Sequence, residues 1–388
     1  MRIGIAAPIK VSSLKEHFVN LSQKDLSLGL GGTAINILID GFIKAGHKVT
    51  VFTLDPTITD KYVLEGDNLK IIFGYFRCSG REKTFDLGKT EIFQIKTFIL
   101  EEKRNIDIVN AHWSYEFAIG TILAKVPHLI TFRDHAQTVL KMVPRPFIFI
   151  RLFMDKWVRK NAQNICYNSP YLKAKIKKGG MVIPNPITEK EIMRARKYPK
   201  DKDIFKIYYI ANGWDKIKNP TIAIEAFYIL RKEILNVELY LIGKGAEPNG
   251  PNHTLIKKRG LGENVFFRGS IGHEELIQEL EIADILLHTS REESFGNTLI
   301  EAMAKGIPTV AGKKSGAVPW VLADGAAGML VDIESAEDVA QALITLIKDE
   351  DKYECISTCG IRNVKERFSQ LKVCAAYITA YQNILNAD

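Results

Sequence analysis

The chain has 388 residues, of which 46% are hydrophobic and 25% charged, a composition that supports two α/β domains with substantial cores. Its net charge of +8 is uneven, because residues 1–190 carry 28 Lys and Arg against 17 Asp and Glu, a net of +11, whereas the remainder carries −3. No zinc finger, RNP motif or basic helical stripe accompanies this charge, so nucleic-acid binding is not expected and an anionic membrane surface is the favoured partner.

The chain begins directly with a strand-like segment, and no apolar run approaches the 18 residues of a spanning helix, so we expect neither a leader nor a transmembrane segment. The cysteines form no Cys-x2-Cys pair and leave one over; they are Cys78, Cys166, Cys355, Cys359 and Cys374. This pattern favours free, mostly buried thiols in a reducing cytoplasm. We therefore expect a cytoplasmic protein, with peripheral association with the inner face of the membrane as the further expectation.

In chain order, the first half alternates apolar runs with helical patterns, which is typical of a parallel sheet covered on both faces. Its predicted strands cover residues 3–8, 49–54, 106–111, 128–132 and 165–167. Residues 187–204 then turn polar and charged, which predicts a boundary between two domains. A second series of predicted strands covers residues 206–211, 238–242, 265–268, 285–288 and 309–311, before a last helical pattern at about residues 371–385.

Gly31 and Gly32 stand in a glycine-rich segment, with Asp55 some twenty residues later. The spacing imitates a dinucleotide-binding fingerprint, but that fingerprint follows the first strand immediately, and here more than 20 residues separate Pro8 from Gly31. A dehydrogenase is therefore disfavoured. A plain turn at the start of a helix is the structural alternative.

Polar side chains close two predicted strands of the first half. His112 ends one strand, and Arg133, Asp134 and His135 follow the next. Any of the last three could contact a substrate, and an active-site role for His112 is what the family resemblance described below implies. A histidine after an apolar strand is also often a hydrogen-bonded structural residue, so both interpretations stay open.

The most informative segment is E-S-F-G-N-T-L-I-E, in which Glu293 and Glu301 bracket seven residues. If the whole segment were helical, eight residues would rotate through roughly 800°, leaving the two carboxylates about 80° apart around the axis. Gly296 lies where a loop would become a helix, whose free N–H groups and dipole suit a phosphate. One anion pocket with two hydroxyl-binding carboxylates fits a nucleotide sugar, although solvated helix acids are the simpler explanation of an isolated pair.

Residues 144–160 mix aromatic and aliphatic side chains with five basic ones. The pattern fits a helix lying on a membrane and equally a buried amphipathic helix, and lysines further along the chain favour the membrane slightly.

Two D-x-D segments, residues 201–203 and 349–351, sit in polar stretches without a leading strand, so we interpret them as solvated charge and expect no essential metal. H-E-x-x-H and G-x-S-x-G are absent from the sequence, which leaves zinc hydrolysis and a serine triad without support.

These pieces together resemble family 4 of the retaining glycosyltransferases, also called glycosyltransferase group 1, which have the GT-B fold. The resemblance runs nearly end to end and is carried by Gly31-Gly32, the A-G-H-K-V of residues 45–49, residues 107–113, the I-P-N-P of residues 183–186, Lys218-Asn219, the L-I-G-K-G of residues 241–245, and residues 293–328. It implies two Rossmann-like doubly wound domains facing a cleft, with residues 1–187 binding the acceptor, residues 188–370 binding the nucleotide sugar, and a C-terminal helix at residues 371–388 crossing back to the first domain.

The resemblance also implies the roles of individual residues. The expected catalytic residues are His112, Glu293 and Lys218. The expected donor-binding residues are Gly31, Gly32, Gly213, Lys216, Lys218, Gly243, Glu293, Ser294, Phe295, Gly296, Asn297, Thr298 and Glu301. Acceptor contacts are expected at Arg133, Asp134 and His135.

The chain departs from the family at one point. Relatives carry G-R-x-x-x-x-K after the first strand of the second domain, and aligning Lys218 on the family lysine puts Gly213 where the arginine belongs. Half of the cationic clamp on the diphosphate is thus missing from its usual position. Lys216 is the nearest replacement, and our hypothesis is that Lys216 and Lys218 form the clamp.

The sequence therefore predicts a metal-independent glycosyltransferase without a cofactor, using a UDP- or GDP-sugar and a glycan or lipid-linked acceptor in cell-surface polysaccharide or glycolipid synthesis. Retention at the anomeric carbon is what the resemblance implies. Same-face attack assisted by the leaving phosphate is expected, because no carboxylate is placed as a covalent nucleophile. Two alternatives stay open: a nucleotide-sugar epimerase, and a non-catalytic nucleotide-sugar-binding protein. The sequence leaves donor base, sugar, acceptor and oligomeric state undetermined.

Overall fold

The computed structural model describes residues 1–77, 80–142, 144–200 and 202–387. Cys78 lies outside the described residues, and so does Asp201, the first residue of the first D-x-D segment. The chain divides into two compact units: a first unit of Met1–Pro186 and Gln370–Asp388, and a second unit of Ile187–Ser369.

The strands of the first unit are β1 (Arg2–Ala6), β2 (Lys48–Asp55), β3 (Tyr62–Glu65), β4 (Leu69–Tyr75), β5 (Ile108–His112), β6 (His128–Phe132), β7 (Ile165–Tyr167) and β8 (Met181–Val182). Those of the second unit are β9 (Phe205–Ile210), β10 (Val237–Ile242), β11 (Val265–Gly269), β12 (Ile285–His288), β13 (Thr309–Gly312) and β14 (Met329–Val331).

The helices before residue 187 are α1 (Gln23–Ser27), α2 (Thr33–Lys44), α3 (Gly80–Asp86), α4 (Lys89–Glu101), α5 (Glu116–Leu123), α6 (Ala136–Met142), α7 (Pro146–Asn161) and α8 (Pro170–Ile176). Those that follow are α9 (Pro220–Arg231), α10 (Pro251–Lys258), α11 (His273–Ile282), α12 (Asn297–Ala304), α13 (Val318–Val321), α14 (Ala336–Lys348), α15 (Glu350–Arg367) and α16 (Gln370–Leu385).

The first unit contains a sheet of order β3-β4-β2-β1-β5-β6-β7-β8, in which only the β3–β4 pair is antiparallel among the described strands. The chain first builds outward from β1 through β2 and β4, and then returns to the other side of β1 with β5. This reversal places the carboxyl ends of β1 and β5 side by side, the usual position of a ligand crevice in such sheets. The predicted fold class is confirmed, whereas β3, β4, β8 and β14 were not predicted.

Both faces of each sheet are covered, as the apolar runs predict. In β1, Ile3 and Ile5 enter one buried cluster and Ala6 the other. In β9, Ile207 and Tyr209 enter one cluster and Tyr208 the opposite one. Successive residues of a strand point to opposite faces, so a strand apolar at every position is buried on both sides.

The C-terminal helix α16 packs within the first unit, against α2. Tyr377 and Tyr381 contact the ring of Phe42, with centroids 6.3 and 5.8 Å away, and the Nδ2 of Asn110 donates to the Tyr381 hydroxyl at 2.8 Å. Gly41 permits this approach, since a Cβ there would lie 2.4 Å from the sulfur of Cys374.

Several features of the sequence prove to be structural. Asp349 accepts a hydrogen bond from the backbone N–H of Lys352 at 2.9 Å and so caps α15. Among the described cysteines, Cys166 and Cys374 are buried, Cys355 is exposed, and none forms a disulfide. In the described part of the chain, no helix combines the length and the apolar character needed to cross a membrane.

Candidate active site

The second unit also reverses its strand order, at β9 and β12, and this brings two predicted loops together. The sheet order is β11-β10-β9-β12-β13-β14, so the loop after β9 (residues 211–219) and the loop after β12 (residues 289–296) leave the same edge as neighbours. The backbone N–H of Arg291 donates to the carbonyl of Ile217 at 2.7 Å, which ties one loop to the other. The pairing explains how residues 75 positions apart in sequence can share a site.

Lys218 and Glu293 meet at this edge. The Nζ of Lys218 lies 2.6 Å from Oε1 of Glu293, and the side chains are 21% and 17% exposed. His288, the last residue of β12, places Nε2 3.5 Å from the same oxygen. Burial opposes the ionisation of Glu293, but the hydrogen bond from His288 and the charge of Lys218 outweigh it and lower the Glu293 pKa to about 2. Glu293 is therefore an ionised carboxylate at neutral pH.

Helix α12 begins immediately after this pair. Gly296, with φ of +98°, precedes the helix in the left-handed conformation that glycine adopts readily. Phe295 is buried against Trp320 and Phe368, so its side chain belongs to the core and only its backbone is offered to a ligand. Ser294, Asn297 and Thr298 flank this turn. The first turn of α12 thus directs its N–H groups toward the loop that holds Glu293.

The helical geometry predicted for the two glutamates is wrong. Because α12 starts at Asn297, Glu293 belongs to the preceding loop, and only Glu301 is helical. Gly296 ends any regular relation between the two, so their angular separation does not follow from a helical repeat.

Glu301 lies in a different environment from Glu293. It is 9% exposed, and burial together with the nearby charge of Glu191 raises the Glu301 pKa to about 7. Near neutral pH this carboxyl is poised between its two protonation states.

Lys216 does not join the Lys218–Glu293 pair in this structure. Its side chain is exposed, and within the described residues it makes no ion pair. The loop backbone around it is nevertheless fixed: a guanidinium nitrogen of Arg291 donates to the Lys216 carbonyl, and the Tyr209 hydroxyl donates to the Lys218 carbonyl at 2.8 Å. Arg291 is itself held by a two-pronged ion pair with Glu334, at 2.6 and 2.7 Å.

The sequence analysis did not single out Arg291 or His288. The signal available was their position, since both lie at or just beyond the end of a predicted strand. Gly243 and Gly213 also line the carboxyl edge of this sheet. Gly243 is required sterically, because a Cβ there would lie 1.9 Å from the carbonyl oxygen of Ala211, whereas Gly213 has a φ of +143°, a backbone conformation that favours glycine.

At the carboxyl edge of the first unit's sheet, His112 is fully buried at the end of β5. Its Nδ1 accepts a hydrogen bond from Nε of Arg133 at 3.1 Å, and Arg133 also donates to the side-chain oxygen of Asn185. Burial and the charge of Arg133 hold the His112 pKa well below its usual value, so the ring is neutral and Nε2 carries the proton. That Nε2 is buried and has no hydrogen-bond partner among the described residues.

Asp134 and His135 each form a hydrogen bond with a different residue. Asp134 accepts from the Tyr115 hydroxyl at 2.8 Å, and its burial raises the Asp134 pKa to about 6. His135 pairs through Nδ1 with the Thr138 hydroxyl at 3.0 Å. The structure therefore joins Arg133 to His112 directly, and joins Asp134 to the adjoining loop that begins after β5.

Gly31 and Gly32 precede helix α2 with φ of +111° and +98°. A Cβ on Gly32 would lie 2.3 Å from the carbonyl oxygen of Pro8, so the loop approaches the end of β1 more closely than any other residue type permits. Asp55 holds this loop by accepting from the Gly29 N–H at 2.6 Å, which explains its presence without a dinucleotide.

Two doubly wound units, with a helix start beside an ionised glutamate and a lysine in one of them, are the arrangement expected of a glycosyltransferase. Comparison with known proteins agrees with this. Residues 31–191 match the family described as Glycosyltransferase Family 4, and residues 190–361 match Glycosyl transferases group 1.

Similar proteins extend over most of the chain. A D-inositol 3-phosphate glycosyltransferase of Corynebacterium kroppenstedtii is 31% identical over 79% of this chain and 75% of that protein. N-acetyl-alpha-D-glucosaminyl L-malate synthase of Bacillus anthracis is 26% identical over 74% of this chain and 77% of its own length. Sucrose-phosphate synthase of Thermosynechococcus elongatus has the same fold, with a TM-score of 0.74, 19% identity and full coverage of both chains.

The chain belongs to the group 1, or family 4, glycosyltransferases, and it is a glycosyltransferase. The epimerase and the non-catalytic binding protein considered from the sequence gain no support from these comparisons.

Proposed function

We propose that this glycosyltransferase moves a sugar from a nucleotide diphosphate donor to a hydroxyl of an anionic acceptor, with retention at the anomeric carbon. The observation that carries the proposal is the Lys218–Glu293 pair, 2.6 Å apart and adjoining the start of α12. A cation and oriented N–H groups suit a diphosphate, and a neighbouring ionised carboxylate suits sugar hydroxyls.

In this mechanism the second unit stabilises the leaving group. Negative charge develops on the diphosphate as the glycosidic bond breaks, and Lys218 with the α12 N–H groups receives it. Glu293, ionised before the donor arrives, accepts hydrogen bonds from sugar hydroxyls. Glu301 accepts hydrogen bonds from the two ribose hydroxyls in a bidentate contact. The acceptor hydroxyl then bonds to the anomeric carbon on the face from which the diphosphate leaves, and its proton passes to an oxygen of the leaving phosphate, so no covalent enzyme intermediate is needed.

His112 has a different part in the proposal. A neutral imidazole cannot neutralise the diphosphate, but its buried Nε2–H can donate one hydrogen bond to the transferred sugar. Arg133 fixes the tautomer by donating to Nδ1, so that the proton is on Nε2. Arg133 is therefore a positioning residue for His112.

The acceptor is proposed to carry an anionic group. The names of two similar proteins contain such small molecules, L-malate and inositol 3-phosphate. The net charge of +11 over residues 1–190 favours the same class. A glycan or a lipid-linked acceptor with a phosphate satisfies this description.

We also propose peripheral association with an anionic membrane through α7. One face of this helix is exposed and presents Phe149, Phe153 and Trp157, spaced four residues apart, together with Lys156 and Lys160. Its one acid, Asp155, is buried and paired with Arg159 and Ser114. An exposed face of aromatic and basic residues without an acid suits the headgroup region of an anionic bilayer.

The test of the transfer activity is a panel of UDP-, GDP- and ADP-sugars incubated with the protein and followed by mass spectrometry. Transfer to an acceptor, or slow hydrolysis with release of the nucleoside diphosphate from one of the donors, is expected. Release of an altered nucleotide sugar without an acceptor would instead identify an epimerase, and no turnover of any donor would contradict the proposal.

A further inference from the structure

The first unit contains a cavity that the predicted site residues do not line. It has a volume of about 600 Å³ and lies between α3 and the first turns of α7. Four arginines line it, Arg77, Arg81, Arg145 and Arg151, and none of its described lining residues is an acid.

The four arginines fall into two pairs. Arg77 is anchored by the buried carboxylate of Glu91 and by Asp86 at 2.8 Å, and Arg151 by Glu116 at 3.3 Å. Arg81 and Arg145 are exposed, and among the described residues their side chains form no ion pair. The inner pair is thus fixed in place, whereas the outer pair retains its charge for a ligand.

The remaining wall is aromatic and aliphatic. Phe76, Phe85, Phe147 and Ile148 line the same cavity. Phe85 is 86% exposed. Exposure of a large aromatic side chain to water is unfavourable in hydrophobic free energy. Apolar surface beside unpaired guanidinium groups fits a ligand that has both an anionic and an apolar part.

The cavity is connected to the strand ends that carry His112 and Arg133. The Arg151 guanidinium stacks over the Tyr115 ring at 4.7 Å, and the Tyr115 hydroxyl donates to Asp134. His112 ends β5 and Tyr115 follows it, while Arg133 and Asp134 both follow β6. A ligand in the cavity therefore adjoins the edge where the acceptor hydroxyl is expected.

We infer that this cavity is the subsite for the anionic group of the acceptor, and that it selects an oxyanion, phosphate or carboxylate, joined to an apolar group. Arg81 and Arg145 bind the oxyanion, and the aromatic wall covers the apolar part. Arg77 and Arg151 form a fixed wall behind them, because their carboxylate partners hold both side chains in place and neutralise their charge. The dipole of α7, a helix of 16 residues, also favours an anion in the cavity, because the first turn of the helix lines the cavity and is the positive end of the dipole. This inference rests on the proposed function for its link to catalysis, but the binding site stands on the cavity alone.

The experiment measures binding of n-octyl phosphate, below its micelle concentration, to the full chain by calorimetry. Inorganic phosphate tests the anion alone, and n-octyl glucoside tests the apolar chain with a neutral head. The variant is Arg81→Gln with Arg145→Gln, since neither side chain supports another residue. The matched control is Lys103→Gln with Arg104→Gln, which removes the same charge at two exposed basic residues that precede β5.

We expect n-octyl phosphate to bind the parent, and the cavity variant to lose about tenfold in affinity through two charge-assisted hydrogen bonds, while the control variant changes by less than about twofold. Equal loss in both variants would indicate unspecific attraction and overturn the inference. Equal binding of n-octyl glucoside would assign the cavity to apolar ligands and overturn it as well. Inorganic phosphate binding as tightly as n-octyl phosphate would overturn the apolar half of the assignment.

Binding of UDP, GDP and ADP is measured on the same samples, because it reports on the second unit. If one of these nucleotides binds and n-octyl phosphate does not, the cavity assignment is wrong and the proposed donor site stands. If n-octyl phosphate binds and no nucleotide does, the donor site is wrong and the cavity assignment stands.

Discussion

Glu293 and Glu301 illustrate how two identical side chains acquire different chemistry. Both are largely buried, and burial alone would favour the protonated form of each. Glu293 gains Lys218 and His288, so its pKa falls to about 2, whereas Glu301 faces Glu191, so its pKa rises to about 7. Glu293 is therefore ionised at neutral pH, whereas Glu301 ionises only when the pH or a ligand favours its anionic form.

Replacing Glu301 with alanine should raise the dissociation constant of the donor roughly thirtyfold, because a bidentate charge-assisted contact is lost. This corresponds to a loss of about 2 kcal/mol of binding free energy. For the parent, donor affinity should increase as the pH rises through about 7, where Glu301 ionises. Calorimetry with the preferred donor at pH 6 and pH 8 measures both effects. Unchanged affinity in the variant would remove Glu301 from the site.

The free energy of unfolding should change with pH in the opposite direction to donor affinity. The folded protein holds the Glu301 proton more tightly than the unfolded chain, whose pKa is near 4.5, so stability is lost as pH rises from 4.5 through about 7. Glu301→Gln should therefore stabilise the ligand-free protein at pH 8, on the order of 2 kcal/mol. Thermal unfolding at pH 5 and pH 8 tests this, and a destabilised variant at pH 8 would contradict the burial argument.

His112→Ala should lower the turnover number far more than the donor affinity, since the Nε2–H contact should matter mainly as the glycosidic bond breaks. Steady-state kinetics with donor binding measured in parallel separate the two quantities. Turnover within about threefold of the parent would show a structural histidine. Arg133→Lys is the companion variant, because it keeps the charge and alters the donor to Nδ1.

Lys216→Ala and Lys218→Ala should each cut turnover on the order of a hundredfold, by analogy with removing one transition-state hydrogen-bond donor. Lys218 starts from its contact with Glu293, whereas Lys216 would have to move its exposed side chain to the diphosphate. Lys365→Ala, an exposed lysine of α15, is the control. Normal turnover of Lys216→Ala beside a dead Lys218→Ala would refute the two-lysine clamp.

At the scale of elements, α7 has features of both interpretations that the sequence left open for residues 144–160. The helix is both packed and exposed: Met154, Asp155 and Val158 are buried, while Phe149, Phe153 and Trp157 remain accessible. A hydrophobic pattern reports that a face is apolar, and it does not report what covers that face.

Vesicle binding tests the exposed face of α7. Phe153→Ser with Trp157→Ser should weaken binding to vesicles containing anionic lipid by about tenfold, because apolar area is no longer buried in the interface. Added salt should weaken binding of the parent. Leu235→Ser, at an exposed apolar side chain of the second unit, is the control. Equal binding of the parent to neutral vesicles would contradict the electrostatic part.

At the scale of the whole molecule, the first unit is completed by the end of the chain. Tyr381 is fully buried, contacts Phe42 and receives a hydrogen bond from Asn110 in β5. A segment distant in sequence thereby supports the strand that ends at His112.

Tyr381→Ala should destabilise the first unit by about 3–5 kcal/mol through loss of buried contacts and a cavity. Hydrogen exchange is the suitable measurement, because it resolves the two units where a single unfolding curve does not. Protection should fall in β1 and β5 and persist in β9 and β12. Tyr228→Ala, at an exposed tyrosine of the second unit, should leave both unchanged, and an equal loss across the two units for Tyr381→Ala would contradict the assignment of α16.

The sequence by itself determined the family, the alternation of strands and helices, and most strand positions. Residues 128–132, 165–167 and 285–288 were predicted with the bounds that the structure has. These features follow from local order, because apolar periodicity and short motifs are properties of neighbouring residues. The edge and very short strands β3, β8 and β14 carry too few buried positions to give such a signal.

Only the tertiary structure decided which charges face one another. The meeting of Lys218 with Glu293, the exposure of Lys216, the pinning of its loop by Arg291 and the arginine-lined cavity depend on strand order, which brings distant loops to one edge. The opposite pKa shifts of two glutamates eight positions apart have the same origin. Burial and partners set the charge state of a side chain, and neither is a property of its sequence neighbours.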